Sequence, residues 1–363
     1  MAGAIVAVHA DRCVHQQVAG AACQACVDAC PRQAWRMHGS GLGFDAEACD
    51  GCGLCVAACP TEAITLPAPA LLIRADAPRG WLMACAQAAV ECRGALAASR
   101  IPCLYTLPPG WLWRQVDTQG LASITVATGD CVQCPHSGAA AEWQRQWAAV
   151  ASVRSAPTLQ MAAPRAWQML AKSAGQSAPA RRAFFRRLTT PPGRTATNST
   201  PLSSSRRWLT ERLANTSAPA LWPVHLDETR CTACLDCTRL CPAQALRMEA
   251  AGARDGGDQF TIDAARCIGC GLCVAVCDAD ALNFAQSPPT GPTAVRTDAP
   301  RRVRLQRQIC PACGASFYRL QRPDAPPQAA RLCRICQRGL PQPRDRIVQT
   351  ESPPPMPPRQ TRP

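Results

Sequence analysis

Sixteen of the 25 cysteines in this 363-residue chain fall into four runs built on Cys-x2-Cys-x2-Cys-x3-Cys or a close variant. The runs come in two adjacent pairs, at 13–59 and 231–277. Four thiolates converging on one point, three of them from a single tight loop, are what a cubane iron–sulfur cluster needs. The pattern therefore constrains the fold before any periodicity is read. A unit of about 60 residues buries too little surface to stand unaided, so such modules are stapled by metal.

Compartment separates this reading from a secreted disulfide scaffold. Met1 to Asp11 carries only the short apolar stretch Ala4–Val8, with no basic lead-in, so a signal peptide is not expected. No run of about 20 apolar residues exists to span a membrane. Metal-bound thiolates in a reducing cytoplasm are the consistent expectation. The formal charge of +14 is unevenly spread. Residues 1–66 and 221–285 are net acidic, whereas 140–220 and 286–363 hold most of the arginines. Lys172 is the one lysine, a bias that a GC-rich genome explains as well as recognition does.

Val6–Leu66 and Val224–Phe284 are internal copies, each expected to run strand, Cys loop, short helix, strand, twice over. Cys52-Gly53-Leu54-Cys55 and Cys270-Gly271-Leu272-Cys273 correspond, and both copies close on an apolar segment. Gly51, Gly53, Gly269 and Gly271 relieve crowding where backbone passes inorganic sulfur. These features resemble the bacterial two-cluster ferredoxin family over about 125 residues. The resemblance implies an α+β protein with two ferredoxin-like 2[4Fe-4S] modules, to which we add a small α/β middle domain and a C-terminal zinc ribbon. The expected layout is a first module at 1–67, the middle domain at 68–150 and a basic linker at 151–220. A second module at 221–286, a linker at 287–307, the ribbon at 308–340 and a disordered tail at 341–363 complete it.

The family's crossed ligation implies four sets. Cys13, Cys23 and Cys26 would share a cluster with Cys59, and Cys49, Cys52 and Cys55 one with Cys30. In the second copy, Cys231, Cys234 and Cys237 would join Cys277, and Cys267, Cys270 and Cys273 would join Cys241. Two departures stand out. Nine residues separate Cys13 from Cys23, so the loop should bulge and Cys13 is the least secure ligand. His9 and His15 lie near enough to replace it, though both read as plain surface residues. Pro31, Pro60 and Pro242 follow the last Cys of their runs, but Asp278 follows Cys277. A carboxylate there should disfavour the added electron and lower that cluster's potential.

Between the copies lie Cys85, Cys92, Cys103, Cys131 and Cys134. Leu71–Ile73, Trp81–Ala84 and Ile124–Ala127 read as strands and Ala139–Val150 as a helix. Cys131-Val132-Gln133-Cys134 sits between the last of those strands and the helix, a context for a metal site or a reversible dithiol. The order of elements faintly resembles the delta subunit of methyl-viologen-reducing hydrogenase, which implies an additional iron–sulfur centre. Cys85, Cys103, Cys131 and Cys134 are the candidate ligands for a metal or cluster, and Cys92 is the odd one out. Trp143 and Trp147, four apart on one helical face, read as core packing.

Cys310-Pro311-Ala312-Cys313-Gly314 and Cys333-Arg334-Ile335-Cys336 have zinc-ribbon spacing, a closed four-thiolate site with no catalytic position. A rubredoxin-like iron is the alternative. Arg301, Arg302, Arg304, Arg307, Arg319, Arg331 and Arg334 could grip nucleic acid. However, Phe317 and Tyr318 are the ribbon's only stacking aromatics and the recognised RNA modules are missing, which disfavours it. Arg181-Arg182-Ala183-Phe184-Phe185-Arg186 resembles an export signal but lies mid-chain with no apolar region after it.

No Gly-x-Gly-x-x-Gly follows a strand, so substrate chemistry is expected on a partner. The function expected is a polyferredoxin-type carrier or relay subunit, passing electrons through four [4Fe-4S] clusters to or from a partner oxidoreductase or a larger complex. The alternatives are an iron–sulfur assembly or maturation factor and a nucleic-acid-binding iron–sulfur sensor.

Overall fold

The computed structural model describes residues 6–39, 41–69, 71–72, 80–90, 92, 98–176, 195–196, 201–214, 216, 218–250, 257–284, 299–321 and 332–339. The Arg181–Arg186 segment and the tail at 341–363 lie outside the described residues.

The two copies share one topology. In the first, Ala7–Val8 pairs antiparallel with Ile64–Thr65, and Trp35–His38 forms a hairpin with Gly41–Phe44. In the second, Val224–Leu226 pairs with Leu282–Phe284, and Leu246–Glu249 with Gln259–Ile262. Chain ends thus meet on one side and the central hairpin forms the other. Short helices, Ala25–Asp28 with Leu54–Ala58 and Asp236–Leu240 with Leu272–Ala275, lie between.

The middle unit is a four-stranded parallel sheet in the order Ser99–Ile101, Gly80–Cys85, Ser123–Ala127, Thr158–Ala162. Trp81, Met83, Ile124 and Val126 are almost wholly buried, as expected where both faces of a parallel sheet are covered. Helix Pro109–Gln119 begins with proline in its first turn and ends at Gly120 in the left-handed region. Ala140–Ala151 is the second crossover helix, with Trp143 buried and stacked on Trp147 at 5.4 Å.

Two stretches expected to be linkers carry structure. Within 151–220, Thr158–Ala162 completes the parallel sheet, Pro164–Gln176 is a helix, and Arg206–Leu213 is another. Leu209 and Leu213, four apart, bury one face against Trp113, Val150 and Leu221. Within 287–307, Arg301–Ile309 is a strand that pairs with both Gln259–Ile262 and Ser316–Leu320. The C-terminal hairpin therefore continues the sheet of the second copy. Val303 and Leu305 are buried between exposed Arg302, Arg304 and Gln306, a period-2 alternation that the arginine content obscured.

The first copy and the middle unit share one continuous hydrophobic core, running from Val6 and Leu54 to Trp81, Trp111 and Val126. The second copy has its own, centred on Phe260 and Leu282. Two contacts tie them together. The nine-residue spacer after Cys13 folds into the helical turn Val14–Gln17, and Val14 and Ala21 pack on Leu272 of the second copy. The helix Arg206–Leu213 packs between the middle unit and the second copy.

Close approach of that helix to Pro109–Gln119 depends on Gly110. A Cβ there would lie 2.8 Å from the Ser205 carbonyl and 2.9 Å from the Leu209 Cβ. Gly110→Ala is expected to cost about 1–3 kcal/mol, seen as a lower thermal midpoint by circular dichroism. Gly138→Ala, with no atom within 4 Å, should leave the midpoint unchanged.

Candidate metal and cluster sites

Each run ends in the same local geometry. Gln33, Glu62, Gln244 and Asp280, three residues past the last Cys of their runs, all have positive φ, between 46° and 57°. The turn aims the next amide back at sulfur. Ala34, Ala63 and Ala281 donate their N–H groups to the Sγ of Cys30, Cys59 and Cys277, each at 3.3 Å. Upstream, Gly53, Leu235 and Gly271 are left-handed residues immediately before the short helices. The first run alone departs, with Gln24 at φ −121°. It is also the run with the long spacer.

The sulfurs gather across each copy. Beside Cys55 lie Cys30 and Cys49, and beside Cys23 lie Cys59 and Cys13. A cavity of about 20 Å³ in the second copy is lined by Cys231, Cys234, Cys237 and Cys277, with Leu226, Phe260 and Leu282 around them. Cys273 has Cys267, Cys270 and Cys241 as neighbours. Burial first, and neighbouring sulfur second, pushes the Cys26 and Cys237 thiols up to about 12. Burial likewise pushes Cys55 and Cys270 to about 11. Burial at these four positions disfavours thiolate, the form that binds metal, unless a cation balances it, and the donor set fits iron–sulfur ligation.

Cys13 is half-buried and packs against the first copy's core, while His15 Nε2 lies 2.7 Å from the Cys23 carbonyl and His9 Nε2 3.3 Å from Thr65 Oγ1. Asp278 is not a bare carboxylate. Arg338 and Arg334 from the ribbon helix pair with it at 3.0 and 3.5 Å. Arg334 also reaches Asp236 at 3.3 Å, beside Cys237. The carboxylate expected to depress the potential is thus paired with cations 56 and 60 residues further along the chain.

In the middle unit, Cys85 ends its strand, Cys103 follows Ser99–Ile101, and Cys131 and Cys134 follow Ser123–Ala127. All four line one cavity of about 20 Å³ at the carboxyl ends of the parallel strands. The strand order reverses there, where open α/β sheets bind ligands. The Gly129 amide donates to Cys85 Sγ at 3.4 Å. Burial and the other three sulfurs raise Cys103 to about 11. Cys92 is not in the lining; its Sγ faces the Val90 carbonyl at 3.9 Å. Arg100 pins the loop after Cys85 by donating to the carbonyls of Cys85, Ala88 and Val90.

The ribbon cysteines Cys310, Cys313, Cys333 and Cys336 bring their Sγ atoms within 4.8 Å of one another, a spacing for one metal ion. Gly314, at φ 72°, closes the first knuckle, and the Cys333 amide donates to Cys310 Sγ, drawing that thiol down to about 6. Another close group, Asp50, Cys52 and His136, joins the first copy to the middle unit. The Nδ1 of His136 is buried with no hydrogen-bond partner among the described residues. Arg301 pairs with Glu228 and Arg302 with Glu249, so part of the ribbon's basic face is spent on the acidic second copy. Arg331 lies outside the described residues. Spacing alone gave no hint of His136, Arg206 or Arg338; each acts on residues far away in sequence.

Residues 230–281 match the family model of the 4Fe-4S dicluster domain, and residues 42–65 that of the 4Fe-4S binding domain. The chain thus contains two ferredoxin-type 4Fe-4S domains, which point to an iron–sulfur electron-transfer protein. Neither match reaches the middle unit, and the hydrogenase delta-subunit resemblance gains no support from them. Comparison with curated proteins finds no match. No helix among the described residues is long and apolar enough to cross a membrane.

The sulfur geometry sets an expectation for iron content. Cys59→Ala should lower the iron bound per chain in a colorimetric assay, whereas Cys92→Ala, outside every sulfur cavity described, should leave it unchanged.

Proposed function

We propose that the chain is a polyferredoxin-type electron relay that holds four [4Fe-4S] clusters in the crossed sets given above and serves a redox protein partner or a larger oxidoreductase. When bound, the clusters supply one-electron redox chemistry and no substrate site is needed. The observation that carries the reading is the contact between copies. Cys23 of the first and Cys270 of the second pack against the same small apolar cluster of Val14, Ala21 and Leu272. The sulfur sites of the two copies therefore abut rather than standing apart on a tether, and transfer by tunnelling falls steeply with distance.

Contacts between neighbouring groups support a chain of sites in one order. The set with Cys277 lies at one end, beside the ribbon helix. The set with Cys270 follows, then the set with Cys23, then the set with Cys52. His136 stands beside Cys52 and only two residues from Cys134, which continues the order into the middle cavity. That cavity matches the cluster cavity of the second copy in volume and in its four-sulfur lining, which supports a fifth metal centre there. The closed four-thiolate ribbon suits zinc with a structural role. A reducing cytoplasm remains the setting that suits 25 unpaired cysteines.

Metal analysis of anaerobically purified protein tests this. About 16 Fe per chain is expected for four clusters, about 18–20 with a middle centre, and one zinc. Dithionite should generate cubane-type EPR signals; none in loaded protein would overturn the relay. Rapid loss of the clusters to an apo-acceptor would indicate delivery instead. Arg338→Ala should make one centre harder to reduce, because Asp278 then loses its 3.0 Å partner.

A further inference from the structure

Arg206 has no carboxylate ion-pair partner among the described residues. It lies at the start of the helix Arg206–Leu213 and is 7 % exposed. One guanidinium nitrogen donates to the Ala58 carbonyl at 3.0 Å, in the helix that leads into Cys59. The other donates to the Ile268 carbonyl at 3.1 Å, between Cys267 and Cys270. Its Nε is buried without a partner among the described residues. The guanidinium lies 4.5 Å from the centre of the Trp222 ring. Arg145 lies at 5.6 Å from that ring.

The position depends on a close backbone approach. A Cβ on Gly269 would stand 2.7 Å from the Trp222 ring, so glycine there lets the ring, and the arginine it carries, come up to the Cys267 loop. The charged groups around Arg206 are Glu142, Cys59 and Cys23, with Arg145 opposing. Glu142 is already engaged by Arg145 and Gln146.

A buried guanidinium bonded to two backbone carbonyls, with no carboxylate partner among the described residues, is costly. A natural source of balancing charge is a pair of anionic metal–thiolate centres on either side. We propose that Arg206 is the shared counterion of the two facing cluster sites, those of Cys13, Cys23, Cys26, Cys59 and of Cys267, Cys270, Cys273, Cys241. This rests on the relay reading and deepens it. The cation stabilises an added electron on either side of the junction, so the inner pair is easier to reduce than the outer pair. Electrons arriving from either end then settle at the junction between the copies.

Redox titration followed by EPR, on full-length protein shown by iron and sulfide assay to be loaded, tests the role. In the unmodified protein, two centres should reduce at higher potential than the other two, and the centre moved by Arg338→Ala should be among the lower two. In Arg206→Gln, the upper two should move to more negative potential while the lower two stay. Arg206→Lys, which keeps the charge, should preserve the gap. A loaded glutamine variant with all potentials unchanged, or all shifted alike, overturns the proposal. Should the glutamine variant fail to load, the lysine variant decides: a preserved gap supports the counterion role and a lost gap refutes it. Failure of the unmodified protein to load would instead sink the relay reading itself.

Discussion

Burying sulfur in groups of four is the constraint from which the rest of the structure follows. Thiols such as Cys26, Cys237 and Cys267 are driven up to about 12, first by burial and then by neighbouring sulfurs, so the charged form is disfavoured in place unless a cation balances it. Metal supplies that cation, and the chain pays in backbone strain. Ala233 and Leu235 occupy the left-handed region, at φ 56° and 63°, at positions where the other well-formed loops have glycine. Such a residue costs roughly 1–2 kcal/mol relative to a right-handed one. The strain is tolerated because it turns amides and Cβ vectors toward one centre.

A second consequence concerns how small modules are held. Neither ferredoxin-like copy stands alone. The first merges its core with the parallel sheet, and the second extends its sheet through Val303 and Leu305 into the ribbon hairpin. The spacer that makes Cys13 look like an irregular ligand serves the assembly: it presents Val14 and Ala21 to Leu272. A departure from the ligand spacing is thus the docking surface between copies.

The Cys runs, the duplication and the C-terminal four-cysteine group were legible because ligand spacing is a local property of sequence. The strands Gly80–Cys85 and Ser123–Ala127 were legible because buried parallel strands are uninterrupted apolar runs. The convergence of Cys85, Cys103, Cys131 and Cys134 could only be suspected, since a parallel sheet brings together loops from distant strand ends. The segments read as linkers were masked by composition. Alternation in Arg301–Ile309, and the pair Leu209 and Leu213, were present but lay among arginines, serines and prolines. Arg206 could not be found from sequence, because its partners Ala58 and Ile268 lie 148 and 62 residues away.

Charge gives these segments their meaning. The net +14 looks at first like a footprint for nucleic acid, yet several of the arginines answer acids within the same chain. Arg301, Arg302, Arg334 and Arg338 pair with Glu228, Glu249, Asp236 and Asp278 of the second copy. Exposed pairs of this kind contribute little to stability, about 0–1 kcal/mol each. Their consequence lies elsewhere: a cation held beside a carboxylate that flanks a cluster ligand changes the field in which an electron is added. The basic segments are therefore better understood as an electrostatic frame around two acidic modules. Arg334 and Arg338 meet the acids beside Cys237 and Cys277, and Arg206 bonds the backbone beside Cys59 and Cys267. A nucleic-acid surface would instead need its arginines free, and those that approach the sulfur sites are either paired with carboxylates or, like Arg206, buried.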